Sequence, residues 1–297
     1  MNRAGLKDYL FLHFIIFIWG FTAILGKLIS LQAIDLVWFR LIFAMSGLVF
    51  LMWWKKIPFP KKLPLKLLWV GVIIALHWLT FFGSIKISNA SVALVAISTA
   101  PVFSALMEPF FYKRKNIGIH ELIVSLLSIL GMALIFFDGL MYWQGMLLGV
   151  TSAFLAALFT HINAQQVSKM NALVISLTEL TGAWFFLTIL LSAGFFTKSY
   201  HLQIPKSMDW FYLMLLGWIC TSFAFSASVE IMKKISPFTV TLSVNLEPVY
   251  GIVLAMLIFG EDEKMNLNFY AGAFILIFSV FFYTYLKYKS ATKIAGI

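Results

Sequence analysis

Charged residues and cysteines are scarce in this chain of 297 residues. Asp, Glu, Lys and Arg make up 11% of it, whereas soluble domains carry about 25% charged residues. A water-soluble fold could not bury the 62% of hydrophobic residues, which excludes soluble globular, disordered and nucleic-acid-binding proteins. The single cysteine, Cys220, excludes a disulfide framework and a zinc site of the cysteine type. The chain is therefore expected to be an integral membrane protein.

Ten apolar runs of helical length follow one another with short connections. A membrane-spanning helix takes about 20 residues, so ten helices fit the chain and leave no room for a soluble domain. Few runs alternate polar and apolar residues as barrel strands do. We predict an all-α integral membrane protein with ten transmembrane helices, over Tyr9–Ile29, Ile34–Trp54, Lys66–Ile85, Ser91–Tyr112, Ile119–Phe137, Gln144–Val167, Leu173–Phe196, Trp210–Ile231, Phe238–Phe259 and Phe269–Leu286.

The distribution of basic residues predicts the orientation, because cytoplasmic connections carry an excess of Lys and Arg. With a cytoplasmic N-terminus, 16 of the 22 basic residues fall on the cytoplasmic side, five fall on the other side, and Arg40 lies within a span. This predicts a multi-pass protein of the cytoplasmic (inner) membrane with both termini in the cytoplasm. The five residues on the other side are Lys27, Lys86, Lys198, Lys206 and Lys264.

An internal repeat divides the chain into halves. Ser88–Ala93 precedes Ala100-Pro101-Val102-Phe103, and Ile235–Val240 precedes Glu247-Pro248-Val249-Tyr250, with the two prolines 147 positions apart. Pro101 and Pro248 are predicted helix breaks, since proline removes a backbone donor. Five spans in each half make the second half enter the membrane inverted, as in many secondary transporters. We predict two inverted five-helix repeats, over residues 1–138 and 139–297; the alternative is chance similarity between apolar helices.

Five short motifs are shared with one family of membrane carriers: Trp19-Gly20-Phe21, Ser84–Ser91, Ala100–Phe103, Glu247–Val249 and Phe259–Glu261. Together they resemble the EamA type of the drug/metabolite transporter superfamily, over essentially the whole chain. The resemblance implies a secondary carrier for small metabolites, often an exporter, with a central cavity between the two halves. It does not imply one substrate.

Two carboxyl groups lie deep in the predicted spans. A charge at the centre of a bilayer costs about 2.5–3.5 kcal/mol on insertion scales, so such a residue needs a partner or a wet cavity. Glu179 lies in the seventh span, and Glu247 lies in the ninth span directly before Pro248. Because low-dielectric surroundings disfavour the charged carboxylate, both are candidates for binding substrate or protons. The alternative is a carboxyl that caps a broken helix or bonds to a neighbouring hydroxyl.

Other polar and aromatic residues in the spans are candidate binding residues with structural alternatives. His77 and His161 either face the cavity or form hydrogen bonds between helices. Arg40 either pairs with Asp35 near the outer surface or anchors a substrate carboxylate. The remaining candidates are Asn245 and Trp19, the latter as part of an aromatic wall or of the packed core. The sequence shows no metal-ligand spacing, so neither a metal nor a cofactor is expected.

A secondary transporter working by alternating access is the function that the sequence favours. Its expected substrate is a small amino-acid-like or drug-like molecule, with the lipid bilayer as surroundings and proton coupling compatible with the buried carboxyls. A channel or structural membrane protein is one alternative. An intramembrane enzyme is a weaker one, because the chain lacks Gly-x-Ser-x-Gly and any Asp well inside a span. We therefore expect no enzyme activity, no nucleic-acid partner, and a monomer or homodimer.

Overall fold

A computed structural model describes residues 4–112, 118–138, 142–197, 200–260 and 266–295. The regular structure within these ranges is helical throughout. The helices are α1 (Leu6–Leu28), α2 (Ala33–Trp54), α3 (Leu65–Ile87), α4 (Ala90–Ile97), α5 (Ala100–Tyr112), α6 (Ile119–Asp138), α7 (Trp143–Gln166), α8 (Ala172–Phe196), α9 (Ser207–Gly217), a π-helical turn (Trp218–Phe223), α10 (Ala224–Ile231), α11 (Pro237–Val244), α12 (Glu247–Phe259) and α13 (Leu267–Ala295).

Eight helical segments of the described chain are long and apolar enough to cross a membrane. Two further apolar stretches, Ile119–Gly131 in α6 and Leu267–Tyr283 in α13, fall where the fifth and tenth spans are predicted. Large apolar side chains such as Trp53, Phe110 and Leu257 are exposed on the outside of the bundle. An apolar exterior suits a lipid surrounding, and the prediction of an all-α membrane protein is confirmed.

The helix α1 and the segment from α9 to α10 run in opposite directions between two ends of the molecule. The start of α1 lies beside the end of α10, where Lys234 Nζ forms an ion pair with Asp8 Oδ1 at 2.7 Å. This end of the molecule is called the Asp8 end. The end of α1 meets the start of α9, where Ser30 Oγ donates to Asp209 Oδ2 at 2.6 Å, and this is called the Ser30 end.

Two of the long segments are broken in the middle. Residues 98–99 separate α4 from α5, and residues 245–246 separate α11 from α12. Pro101 and Pro248 lie in the first turn of α5 and α12, where a missing backbone donor is tolerated. The structure thus interrupts both helices directly before the two prolines.

Small residues allow the central helices to approach closely. The helix α3 packs against α7 and α8, and α1 packs against α12. A Cβ atom added to Gly71 would lie 2.6 Å from the backbone nitrogen of Ala183, and one added to Gly182 would lie 2.7 Å from the Cα of Leu68. Only hydrogen fits at these positions, as in other membrane bundles where small residues line helix contacts.

Several sequence motifs lie outside the described residues. They are the basic turn Lys113–Lys115, the charged turn Glu261–Lys264 with the last residue of the Phe259–Glu261 motif, Lys198, and residues 139–141 at the predicted boundary between the repeats.

Candidate functional site

A central cavity of about 100 Å³ lies among the middle parts of the helices. Its walls come from both halves of the chain, including the two helix breaks. Five aromatic side chains line it: Trp19, Trp78, Phe81, Phe159 and Phe225. Its polar lining includes Thr22, Arg40, His77, Asn163 and Glu247. A mostly apolar cavity with a few polar groups is typical of a small-molecule site.

The cavity extends towards the Asp8 end of the molecule. Met232, at the end of α10, and Val240, in the first turns of α11, both line it. Its lining residues include none of the polar residues that join the helices at the Ser30 end.

Arg40 is buried in the cavity wall and held by stacking. Its guanidinium carbon lies 4.0 Å from the ring centre of Trp78 and 5.4 Å from that of Phe82. Its Nε donates to Thr221 Oγ1 at 2.7 Å. The expected ion pair with Asp35 is wrong, because the Asp35 carboxylate instead accepts a hydrogen bond from the Tyr200 hydroxyl.

The partner of Arg40 depends on the π-helical turn. Thr221 Oγ1 donates its proton to the carbonyl of Leu216, five residues earlier, at 2.7 Å. The same oxygen can therefore accept the hydrogen bond from Arg40 Nε with a lone pair. Ser222 Oγ lies near the carbonyls of Gly217 and Ala44, at 3.0 and 2.7 Å, and can donate to either. The wider turn therefore brings a hydroxyl acceptor to the guanidinium, in keeping with the frequent occurrence of π-turns at functional sites.

Glu247 faces the same cavity from the break between α11 and α12. Its Oε1 accepts a weak hydrogen bond from Thr22 Oγ1 at 3.4 Å. Its side chain is 5% exposed and makes no ion pair with Arg40 among the described residues. One carboxyl and one guanidinium thus share the cavity without direct contact.

His77 and Trp19 line the cavity while bonding to its walls. His77 Nδ1 lies 2.7 Å from Ser152 Oγ and 3.0 Å from the Ser152 carbonyl, which joins α3 to α7. Trp19 Nε1 donates to the carbonyl of Cys220 at 3.1 Å. Each residue therefore has both a structural contact and a face towards the cavity.

Three of the predicted site residues lie behind the cavity wall. Glu179 is fully buried and its Oε2 accepts from Asn163 Nδ2 at 3.2 Å. His161 Nε2 lies 2.8 Å from Ser104 Oγ, between α7 and α5. Asn245 ends α11, and its buried side-chain amide has no hydrogen-bond partner among the described residues. Glu179 and Glu247 are thus not brought to one wall of the cavity.

The Ser30 end is closed by hydrogen bonds between helices. Asp209 accepts from the backbone nitrogen and the hydroxyl of Ser30, at 2.8 and 2.6 Å. Gln203 accepts from the backbone of Gln32 at 3.2 Å, and Tyr200 donates to Asp35. Burial, and then the Asp35 carboxylate, raise the pKa of the Tyr200 hydroxyl, so it remains a donor. These bonds tie the segment before α9 to the turn between α1 and α2.

Two features of the site escaped the sequence analysis. The hydroxyl of Thr221 has no signal of its own in a sequence rich in Ser and Thr. Phe225 lines the cavity 147 positions after Trp78, the same spacing as the two prolines, so the predicted repeat could have indicated it. Among the described residues, no cluster of three His, Cys, Asp or Glu side chains could hold a metal ion.

Known proteins resemble this chain over most of its length. It is 26% identical to the "Uncharacterized transporter YdfC" of Bacillus subtilis (strain 168), over 212 residues that cover 70% of this chain and 67% of that protein. It is 24% identical to an "Uncharacterized transporter" of Haemophilus influenzae, with 93% of this chain and 94% of that protein covered. A solved crystal structure shares the fold, with a TM-score of 0.73 at 12% identity over 94% of this chain and 98% of that one.

The sequence model of the EamA-like transporter family matches twice, over residues 6–137 and 143–285. These matches cover nearly the whole chain and include every residue that lines the cavity. The chain therefore belongs to the EamA-like transporter family of membrane proteins.

Proposed function

We propose that this protein is a secondary transporter that moves a small metabolite through the central cavity by alternating access. One observation carries the proposal: a cavity that holds a guanidinium and a carboxyl extends towards the Asp8 end, while interhelical hydrogen bonds join the helices at the Ser30 end. A carrier closes at least one end of its cavity at a time, whereas a channel needs a path open at both ends.

Ten membrane spans in two inverted five-helix repeats, over residues 1–138 and 139–297, complete the proposed architecture. The bounds of α11 and α12 are those of α4 and α5 shifted by 147 residues, at all four ends. The packing of α1 against α12 has its counterpart in the packing of α7 against α4 and α5. The two separate matches to the family model also support a repeat.

The Asp8 end is proposed to face the cytoplasm, with both chain termini on that side of the inner membrane. The excess of 16 basic residues over five supports this orientation. Export is the proposed direction, because the carriers that the sequence motifs resemble are often exporters.

The proposed substrate is amino-acid-like or drug-like, and the proposed coupling ion is the proton. Glu247 is the carboxyl that faces the cavity, whereas Glu179 bonds to the cavity residue Asn163 from behind. The protonation of a buried carboxyl depends on the charges near it, so the binding or release of a charged group can change whether it carries a proton. We expect the protein to act as a monomer or homodimer, since the cavity is complete within one chain.

Flux measurements in proteoliposomes test this function. With a labelled metabolite mixture, we expect Glu247→Gln to lower the flux at least tenfold and to remove its dependence on a pH gradient. Glu179→Gln is expected to lower it less, because Glu179 acts through Asn163. Glu230→Gln is the control, since Glu230 pairs with Lys233 on the surface.

The same vesicles separate the alternatives. A carrier shows uptake that is accelerated by unlabelled solute on the opposite side, whereas a channel does not. Solute recovered unchanged by mass spectrometry argues against an enzyme. Wild-type flux and pH dependence in both glutamate variants would remove these carboxyls from the mechanism.

A further inference from the structure

We propose that Arg40 binds the carboxylate of a small substrate with an apolar body, and so determines the substrate class of the central cavity. This inference rests on the transport function proposed above and specifies what the cavity selects.

The first argument is the state of the Arg40 charge. The side chain is 3% exposed, and its only hydrogen bond to the described residues runs from Nε to Thr221. Its terminal amino groups bond to none of those residues, and it forms no ion pair with them. A buried charge without a counterion is costly, and stacking on Trp78 and Phe82 offsets only part of that cost. An anion from the cavity would complete the site.

The second argument is geometry. The ring of Trp78 holds the guanidinium plane, and Thr221 fixes its Nε edge, so the terminal amino groups have a defined direction. A guanidinium held in this way matches the two oxygens of a carboxylate, because both present parallel partners in one plane. Lysine could not supply the same paired donors.

The third argument is charge balance, which favours a carboxylate over a phosphate. Arg40 is the only Lys or Arg among the residues that line the cavity. Glu247 is the only other Asp, Glu, Lys or Arg among these lining residues. With Glu247 protonated, a single carboxylate balances the charge of Arg40, whereas a doubly charged phosphate would leave an excess negative charge.

The fourth argument is the remaining wall. Trp19, Phe81, Phe159 and Phe225 offer an apolar surface to the rest of the ligand. A ligand that places its carboxylate on Arg40 therefore buries an apolar body against these rings. An amino group on that ligand would find Glu247, but the proposal requires only the carboxylate.

Three matched ligands test the inference on the purified full chain in detergent. They share a phenylethyl body: 3-phenylpropionate carries only a carboxylate, phenethylamine only an ammonium, and L-phenylalanine both. Titration calorimetry should detect binding of the two carboxylates, with phenethylamine at least tenfold weaker. Comparing L-phenylalanine with 3-phenylpropionate shows whether the natural ligand class carries an amino group.

Variants assign the binding to Arg40. Arg40→Gln should weaken both carboxylates by about tenfold to a hundredfold, as expected from losing charge-assisted hydrogen bonds of about 1.5–3 kcal/mol. Arg40→Lys keeps the charge in case the glutamine variant does not fold, and it should weaken them at least fivefold. Lys27→Met removes an equal charge that stacks on Phe259 away from the cavity, and it should leave both affinities unchanged.

Several results would overturn the inference. They are the absence of carboxylate binding to the wild type, phenethylamine binding as tightly as the carboxylates, and unchanged carboxylate affinity in the folded Arg40 variants. If wild-type vesicles carry other solutes while no carboxylate binds, the transport function stands and only this inference fails.

Discussion

Single side chains at the cavity wall hold neighbouring helices together as well as facing the cavity. His77 on α3 and Ser152 on α7 share three short contacts, two through Nδ1 and one in which Ser152 Oγ lies 3.0 Å from the His77 carbonyl. Both residues are buried. The pair therefore links two elements that enclose the cavity.

Ser152→Ala should destabilise the protein by about 1–2 kcal/mol, because it removes the hydroxyl that bonds to His77 Nδ1 and leaves that nitrogen only the carbonyl of residue 152. Thermal unfolding in detergent measures the loss. Thr151→Ala is the matched control, since the Thr151 hydroxyl bonds only within its own helix. Equal midpoints for the two variants would argue against a structural role for this pair.

The sequence indicated which residue types matter but not their partners. Arg40, Glu179 and Glu247 stand out because charges are rare in apolar runs. Their contacts depend on how each helix is rotated about its axis, and an apolar helix with little amphipathic pattern carries no signal for that rotation. This is why the sequence offers Asp35 as one of two alternatives for Arg40, while the acceptor in the structure is Thr221, distant in the sequence.

Whole helices were easier to predict than their contacts. Length and hydropathy locate the apolar runs, and proline locates the two breaks. The π-helical turn over Trp218–Phe223 has no such marker, and its contact with α2, from Ser222 Oγ to the Ala44 carbonyl, exists only in the packed structure. Close contacts such as Gly71 against α8 are likewise visible only in three dimensions.

The contact between α3 and α8 should be sensitive to a single added methyl group. Gly71→Ala places a Cβ against the backbone of α8, which cannot yield without moving the helix. We expect a loss of about 1–3 kcal/mol, as for other overpacked interiors, measured by thermal unfolding. Gly83→Ala is the control, because its Cβ would meet only the end of the Leu148 side chain, at 3.2 Å. Similar stability of the two variants would contradict this prediction, since it would mean that α3 and α8 can move apart at no cost in stability.

Across the whole molecule, α2 and α8 carry opposite charges at the same place in each helix. Arg40 is the eighth residue of α2 and Glu179 is the eighth residue of α8. Arg40 faces the cavity and Glu179 lies behind it. In the repeat proposed above, α2 and α8 are counterparts, so one half places a cation in the cavity and the other half places a carboxyl in the wall.

The closed Ser30 end gives alternating access a direct test. Transport by this mechanism requires Ser30 and Asp209 to separate when the cavity opens on that side. We replace both with cysteine in a Cys220→Ser background and join them with a short bifunctional methanethiosulfonate. Flux in proteoliposomes should fall to the level of empty vesicles and return when a reductant releases the link.

The control pair is Glu230→Cys with Lys233→Cys, which lies within one short segment at the Asp8 end. The same reagent should join these cysteines without changing the flux, because their distance does not depend on opening of the Ser30 end. Full flux through the protein linked at Ser30 and Asp209 would mean that the substrate leaves without separating α1 from α9. Since the hydrogen bonds of Asp209, Gln203 and Tyr200 close the same end, that result would require a route between other helices.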